Sequence, residues 1–127
     1  MTTQSHQQTL QQRRAGHAFK KVEDATKTKS AKEYGSLVRG LPAMIQTDGI
    51  GATLAFLKAK GKEQHLSAYG HLDDWLGQDD QFGFKADLLE WLLTQPTPVY
   101  RQVANEAIAY LLWLKRFAEA KGLEASS

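Results

Sequence analysis

The stretch TPVYRQVANEAIAYLLWLKRFAEA, residues 97–120, decides the fold class. Val99, Val103, Ala107, Tyr110, Leu111, Leu114 and Ala118 recur at spacings of three and four, the period of one helix face. Thr97 suits an N-cap and Pro98 a first helical position, where a missing N–H costs nothing. The segment predicts one long amphipathic helix with its apolar stripe turned to a core.

Working back from it, Gly and Pro divide the chain into further segments of helical period, and no run of alternating β-branched residues suggests a strand. A helix over Thr9 to Lys27 places Ala15, Ala18, Phe19, Val22 and Ala25 on one side. Its other side carries Arg13, His17, Lys20 and Lys21, a basic stripe at about 100° per residue. Ser30 and Glu33 have capping-box spacing and predict a second helix start. That helix passes Tyr34, Leu37 and Val38, then meets Gly40 and Pro42, so a break or sharp kink is expected at Leu41 with a short continuation over Pro42 to Thr47. Asp48-Gly49 is turn chemistry. Ile50 to Lys60 follows, closed by Gly61 as a C-cap. A fourth helix, Lys62 to Leu76, turns Leu66, Tyr69, Leu72, Trp75 and Leu76 inward, with Gly70 its weak point. Residues 77–84 form a polar loop pinned by Phe82 or Phe84, and Lys85 to Thr94 makes a short helix ending before Pro96. The expectation is an all-α, compact helical bundle of about six helices. At 127 residues and 42% hydrophobic content it forms a single domain over 1–127 with one core, its 1–8 and 122–127 ends disordered.

The absence of cysteine removes disulfides, thiolate metal sites and cysteine nucleophiles, and fits a reducing cytosol. The polar start has no signal-peptide core, and no run reaches the roughly 18 apolar residues of a membrane span. A cytoplasmic protein without membrane contact is expected.

The net charge of +2 conceals a segregation: residues 1–62 hold 11 Lys/Arg against 4 Asp/Glu (+7), residues 63–127 hold 5 against 10 (−5). A basic half can meet polyanions and an acidic half basic neighbours; equally, the charges can be solvated helix faces. Arg13, Arg14, Lys20, Lys21, Arg39, Lys58, Lys60 and Lys62 fall in segments able to share a face. Charge without base-edge geometry supports sequence-independent phosphate contact.

Catalytic motifs are missing. His65 and His71, six apart, lie roughly 120° from one another on a helix and cannot share a metal. There is no H-E-x-x-H. Asp73, Asp74, Asp79 and Asp80 lack the order of a calcium loop and read as solvated or partner-facing acids. Gly49 and Gly51 lack the strand and Lys-Ser/Thr of a phosphate loop. Trp75, Trp91 and Trp113 sit at helical spacing from apolar neighbours and read as core rather than as base-stacking platforms. The sequence therefore predicts no catalytic residue, no metal and no cofactor.

Two stretches carry more than pattern: residues 33–61, EYGSLVRGLPAMIQTDGIGATLAFLKAKG, and residues 97–120. Leu41, Pro42, Ile45, Gly49 and Ile50, then Leu54 to Leu57 and Lys60, followed late in the chain by Tyr100, Arg101, Asn105, Glu106, Ala107, Trp113, Leu114, Arg116, Phe117 and Ala118, resemble the small α-helical subunit of the type III-B CRISPR effector, the RNA-guided Cmr complex. Ile50 stands where the pattern has leucine, and residues 62–96 match less distinctly. The resemblance implies a non-catalytic subunit that stacks in several copies along the backbone subunits and helps to line the channel of guide RNA and target RNA in antiviral defence. Charge clustering adds the candidate RNA-contacting residues Arg13, Arg14, His17, Lys20, Lys21, Lys58 and Lys60, with Arg101, Lys115 and Arg116 as weaker candidates. Arg116 can equally hold a neighbouring subunit or an internal carboxylate such as Glu106. The rival reading is a freestanding helical nucleic-acid-binding protein with a helix-turn-helix about Asp48 to Gly51; the apolar character of residues 50–57 speaks against it.

Overall fold

A computed structural model describes residues 8–124, and among these every regular element is a helix. The order is α1 (Leu10–Thr26), α2 (Ala31–Asp48), α3 (Ile50–Lys60), α4 (Glu63–Leu76), α5 (Leu88–Leu92) and α6 (Thr97–Ala120). The expected disorder at 1–7 and 125–127 falls outside the described residues.

α1 starts where a side chain can satisfy its free amides. Thr9 Oγ1 accepts the Gln12 N–H at 3.1 Å, and Gln12 Oε1 accepts the Thr9 N–H at 2.8 Å, a reciprocal capping box. The helix buries Ala18, Val22 and Ala25. Phe19 is more open than its apolar position suggested; its ring meets Phe117 edge-on at 5.4 Å. Arg14 bonds Glu106, His17 reaches Tyr110 and Phe19 meets Phe117, so the two helices advance together and α1 runs in the same direction as α6.

The second helix corrects the sequence reading twice. Ser30 makes no cap; its hydroxyl donates instead to Glu63 Oε1 at 2.6 Å, tying the α1–α2 turn to the start of α4. No break occurs at Leu41, because α2 runs continuously through Pro42. Tyr34, Val38, Leu41 and Ile45 carry one buried stripe across the proline. An internal proline costs about 3 kcal/mol. Burying a side chain such as Leu41 or Ile45 returns roughly 1.5–3 kcal/mol each, enough to hold both halves on the core.

Gly49 (φ +91°) and Gly61 (φ +64°) make the turns on either side of α3, where a Cβ would be strained. In α4, Tyr69, Leu72, Trp75 and Leu76 are buried as the spacing predicts, but Leu66 points outward at 50% exposure. The next helix is shorter than the expected Lys85 to Thr94. Asp87 caps α5 by accepting the Glu90 N–H at 3.3 Å, and Lys85 and Ala86 before it are not helical. The preceding loop is pinned as expected, with Phe84 stacked on Trp91 at 4.7 Å and Phe82 tilted against the same ring at 5.9 Å. α6 begins at Thr97, so Pro96 rather than Thr97 is the cap. Beyond α6 the chain does not leave the bundle at once: Leu123 is buried over α2, so close to Gly35 that a Cβ there would collide with the Leu123 carbonyl. This departs from the disorder expected from 122 onward.

One buried cluster links residues from α1 to α6 and Leu123. No helix among the described residues is long and apolar enough to cross a membrane.

Candidate nucleic-acid interface

Most of the basic stripe of α1 is engaged within the fold; Lys20 alone of its four residues is exposed and has no carboxylate partner among the described residues. The stripe lies against the C-terminal end of α4, the loop after it and the first half of α6, which supply the carboxylates that the second half of the sequence holds in excess. Arg13 forms an ion pair with Asp80. Arg14 makes a two-pronged bond to Glu106, Nε to Oε2 at 2.5 Å and Nη2 to Oε1 at 2.8 Å, and its side chain is only 15% exposed. The indole Nε1 of Trp75 donates to the same Glu106 oxygen at 2.9 Å. The bond to Glu106 raises the Arg14 pKa further, as expected of a fixed guanidinium–carboxylate fork.

His17 sits between two oxygens, with Nδ1 2.6 Å from the Tyr110 hydroxyl and Nε2 2.6 Å from Asp74 Oδ2. A carboxylate only accepts, so Nε2–H donates to Asp74 and the Tyr110 hydroxyl donates to Nδ1. Burial lowers the His17 pKa, outweighing the opposing pull of Asp74; the contact with Asp74 is therefore a neutral hydrogen bond at pH 7 rather than an ion pair. Asp74 itself is pushed upward by partial burial but held below the usual carboxylate range by His17 and by Lys21, whose Nζ lies 3.5 Å away. Next to this chain, the Tyr34 hydroxyl meets His71 Nδ1 at 2.7 Å, and burial with the nearby Lys21 and His17 pushes His71 down to about 4.

Lys58 is likewise engaged. Its ammonium bonds Asp87 Oδ2 at 2.8 Å and lies 5.0 Å over the Tyr69 ring, while the Tyr69 hydroxyl donates to Asp87 Oδ1 at 2.7 Å and accepts the Leu89 N–H. Lys58 thus helps to anchor α5 on α3 and α4. Arg116 pairs with Glu119 one turn along at 3.1 Å. It does not pair with Glu106, which Arg14 and Trp75 occupy.

Four sequence candidates have no carboxylate partner among the described residues: Lys20 on α1, Lys60 at the end of α3, where it lies 5.9 Å from the Phe56 ring centre, and Arg101 and Lys115 on α6. Lys20 borders a cleft of about 340 Å³ lined also by Gln8, Arg13, Gly16, His17, Trp75 and Gln78. Lys115 borders another of about 400 Å³ between α2 and α6, with Ser36, Arg39, Gly40 and Glu119. Lys20 belongs to the α1 stripe, and Lys115 borders a different cleft from it.

The acids read as solvated or partner-facing are exposed at Asp74, Asp79 and Asp80, but much of the acidic half is engaged within the fold. Asp74, Asp80, Asp87 and Glu106 hold Lys21, Arg13, Lys58 and Arg14 of the first half, and Asp73 accepts the Leu88 N–H at 3.4 Å. Among the described residues no three His, Asp or Glu side chains gather as a metal would need. Lys27, Lys29 and Lys32, in and beside the α1–α2 turn, are not among the sequence candidates, yet they are basic residues left at the surface of the bundle. The signal available for them is position, since turns lie at the ends of a bundle and away from its carboxylate-bearing sides.

The sequence model of the family described as CRISPR-associated protein (Cas_Cmr5) matches residues 10–121. The CRISPR system Cmr subunit Cmr5 of Thermus thermophilus is 31% identical over 111 residues, which cover 84% of this chain and 90% of the relative. The crystal structure of a CRISPR-associated Cmr5 family protein from the same organism resembles the fold with a TM-score of 0.79 at 31% identity, over 90% of this chain and 97% of that one.

Proposed function

The chain belongs to the Cmr5 family of CRISPR-associated proteins, and from that premise we propose that it is a non-catalytic small subunit of a type III-B effector complex in the cytoplasm. In this reading it packs beside the backbone subunits and along copies of itself, near guide and target RNA, and leaves the chemistry to its neighbours. The likeness to a Cmr subunit over nearly the whole chain carries the proposal. Surface chemistry supports it. Lys20, Lys60, Arg101 and Lys115 stay without a carboxylate among the described residues, and such lysines and arginines suit phosphate contact without base selection. The polar chain Asp74–His17–Tyr110 ends on a tyrosine with no exposure, a poor position from which to reach a substrate.

A freestanding helix-turn-helix protein is the weaker reading. The helix after the Asp48-Gly49 turn buries Ile50, Leu54 and Leu57, so it has little face left for a groove. Affinity purification from the native cell, followed by mass spectrometry and RNA sequencing, tests the choice. Backbone subunits and guide RNA should co-purify; the chain emerging without either would overturn the proposal.

A further inference from the structure

Two turns at one end of the bundle collect cations that the fold leaves unpaired. The α1–α2 connection carries Lys27 and Lys29, with Lys32 in the first turn of α2; Lys60 ends α3, and the α3–α4 connection carries Lys62. The bond from Ser30 to Glu63 at 2.6 Å holds the two connections side by side. Among the described residues none of the five lysines has a carboxylate partner, although most cations along the sides of the bundle do. On residues 27–33 and 60–63 five lysines stand against Glu33 and Glu63, a local excess of +3, and Glu63 is already occupied by Ser30. The field reaches inward: after burial, Lys60 and Lys62 are what hold the His65 pKa down.

We propose that these adjoining turns are a docking surface for the phosphate backbone of a single RNA strand. The choice of partner follows from the side chains. Lysine ammoniums are mobile point charges, suited to phosphates in any sequence, whereas base reading needs guanidinium forks, amides or open aromatic rings. The turns offer no arginine and no exposed aromatic ring; Phe56 lies half-buried under Lys60. A protein partner would need an apolar centre inside the charged rim, and Leu66 is the sole exposed large hydrophobic on the elements' adjoining first and last turns among the described residues. This surface deepens the reading of the chain as an RNA-side subunit and rests on it, but it is a different face from the α1 stripe.

The test uses the full chain and a labelled, mixed-sequence single-stranded RNA, titrated between about 50 and about 200 mM salt. The variant carries Lys29→Gln, Lys32→Gln and Lys62→Gln. A charge-matched control carries Arg39→Gln, Lys85→Gln and Lys121→Gln, which remove cations paired with Glu119 and Glu124, Asp79, and Glu23. At about 0.7 of slope per phosphate for single strands, the turn variant should lose about 2 from the slope of log affinity against log salt and bind at least about tenfold more weakly at the low-salt end. The control should stay within about twofold of the parent chain under the same counterion argument. Equal losses in both variants would reduce the effect to net charge and sink the proposal. A parent chain that shows no salt-dependent RNA binding also sinks it, while the proposed role as a subunit of the effector complex stands or falls separately on co-purification. A turn variant that keeps its RNA affinity but drops out of the purified complex would identify the surface as a protein contact and overturn the assignment to RNA.

Discussion

The α1 stripe and the lysine turns come from the same basic half of the sequence, yet the fold treats them oppositely. Along α1, Arg13, Arg14, His17 and Lys21 meet Asp80, Glu106 and Asp74 from the acidic half. At the turns, Lys27, Lys29, Lys32, Lys60 and Lys62 meet no carboxylate among the described residues. Charge segregation along the chain has thus become pairing across the core boundary in one place and an uncompensated field in the other. The first region is coupled to folding and answers to pH; the second answers to salt and to an external anion.

Removing the central carboxylate of the first region tests the contrast most severely. Glu106→Ala leaves the largely buried Arg14 guanidinium and the Trp75 indole without their shared acceptor. Stranding one partner of a buried pair costs about 3–5 kcal/mol, so the urea midpoint should fall sharply with an unchanged m-value. A loss below about 1 kcal/mol would place this pair with ordinary surface bridges and erase the distinction between the regions.

The next effect is pH dependence. His71, beside Tyr34 and facing His17, Lys21, Asp24 and Asp74, has its folded pKa pushed from 6.5 down to about 4. Between those values the unfolded chain binds the proton and the folded chain does not. Its neutrality therefore contributes full stability above about pH 6.5, and that contribution is lost as pH falls to about 4, on the order of 3 kcal/mol at 1.36 kcal/mol per pKa unit. Burial lowers His17 as well, in the same direction. Denaturation midpoints measured from pH 7 to 4.5 should decline, and His71→Gln, which keeps an acceptor for Tyr34, should flatten most of the decline. An unaltered slope in that variant would move the effect to another group.

Helix positions are largely legible in the sequence because each buried stripe repeats at three and four, as in Ala18, Val22 and Ala25 or Val103, Ala107, Tyr110 and Leu114. Pro42 misleads, since local chemistry predicts a break but the burial that outweighs it depends on tertiary contacts. The polar site is less legible for a related reason. Arg13, Arg14 and His17 are identifiable as basic residues of one helix, but their partners lie 57 to 93 residues away, and nothing in the spacing of Asp74, Asp80 or Glu106 says that α1 will lie against them. Lys27, Lys29 and Lys32 escape such reasoning because no periodicity marks a turn.

The smallest effects sharpen the comparison. Arg13 and Asp80 are both about one-third to one-half exposed, so Arg13→Gln should cost under about 1 kcal/mol, and less as salt is added. Lys29→Gln with Lys32→Gln should change stability by no more than about 0.5 kcal/mol, because no ion pair among the described residues is lost and mutual repulsion falls. The sign matters more than the size. If the turns carry an uncompensated field, the lysine variant should be neutral or slightly more stable at low salt, and the difference should vanish at high salt as the repulsion is screened. A lysine variant that loses stability, with a loss deepening at low salt, would mean that hidden carboxylate pairing exists at this end too, and the two regions would then differ in degree and not in kind.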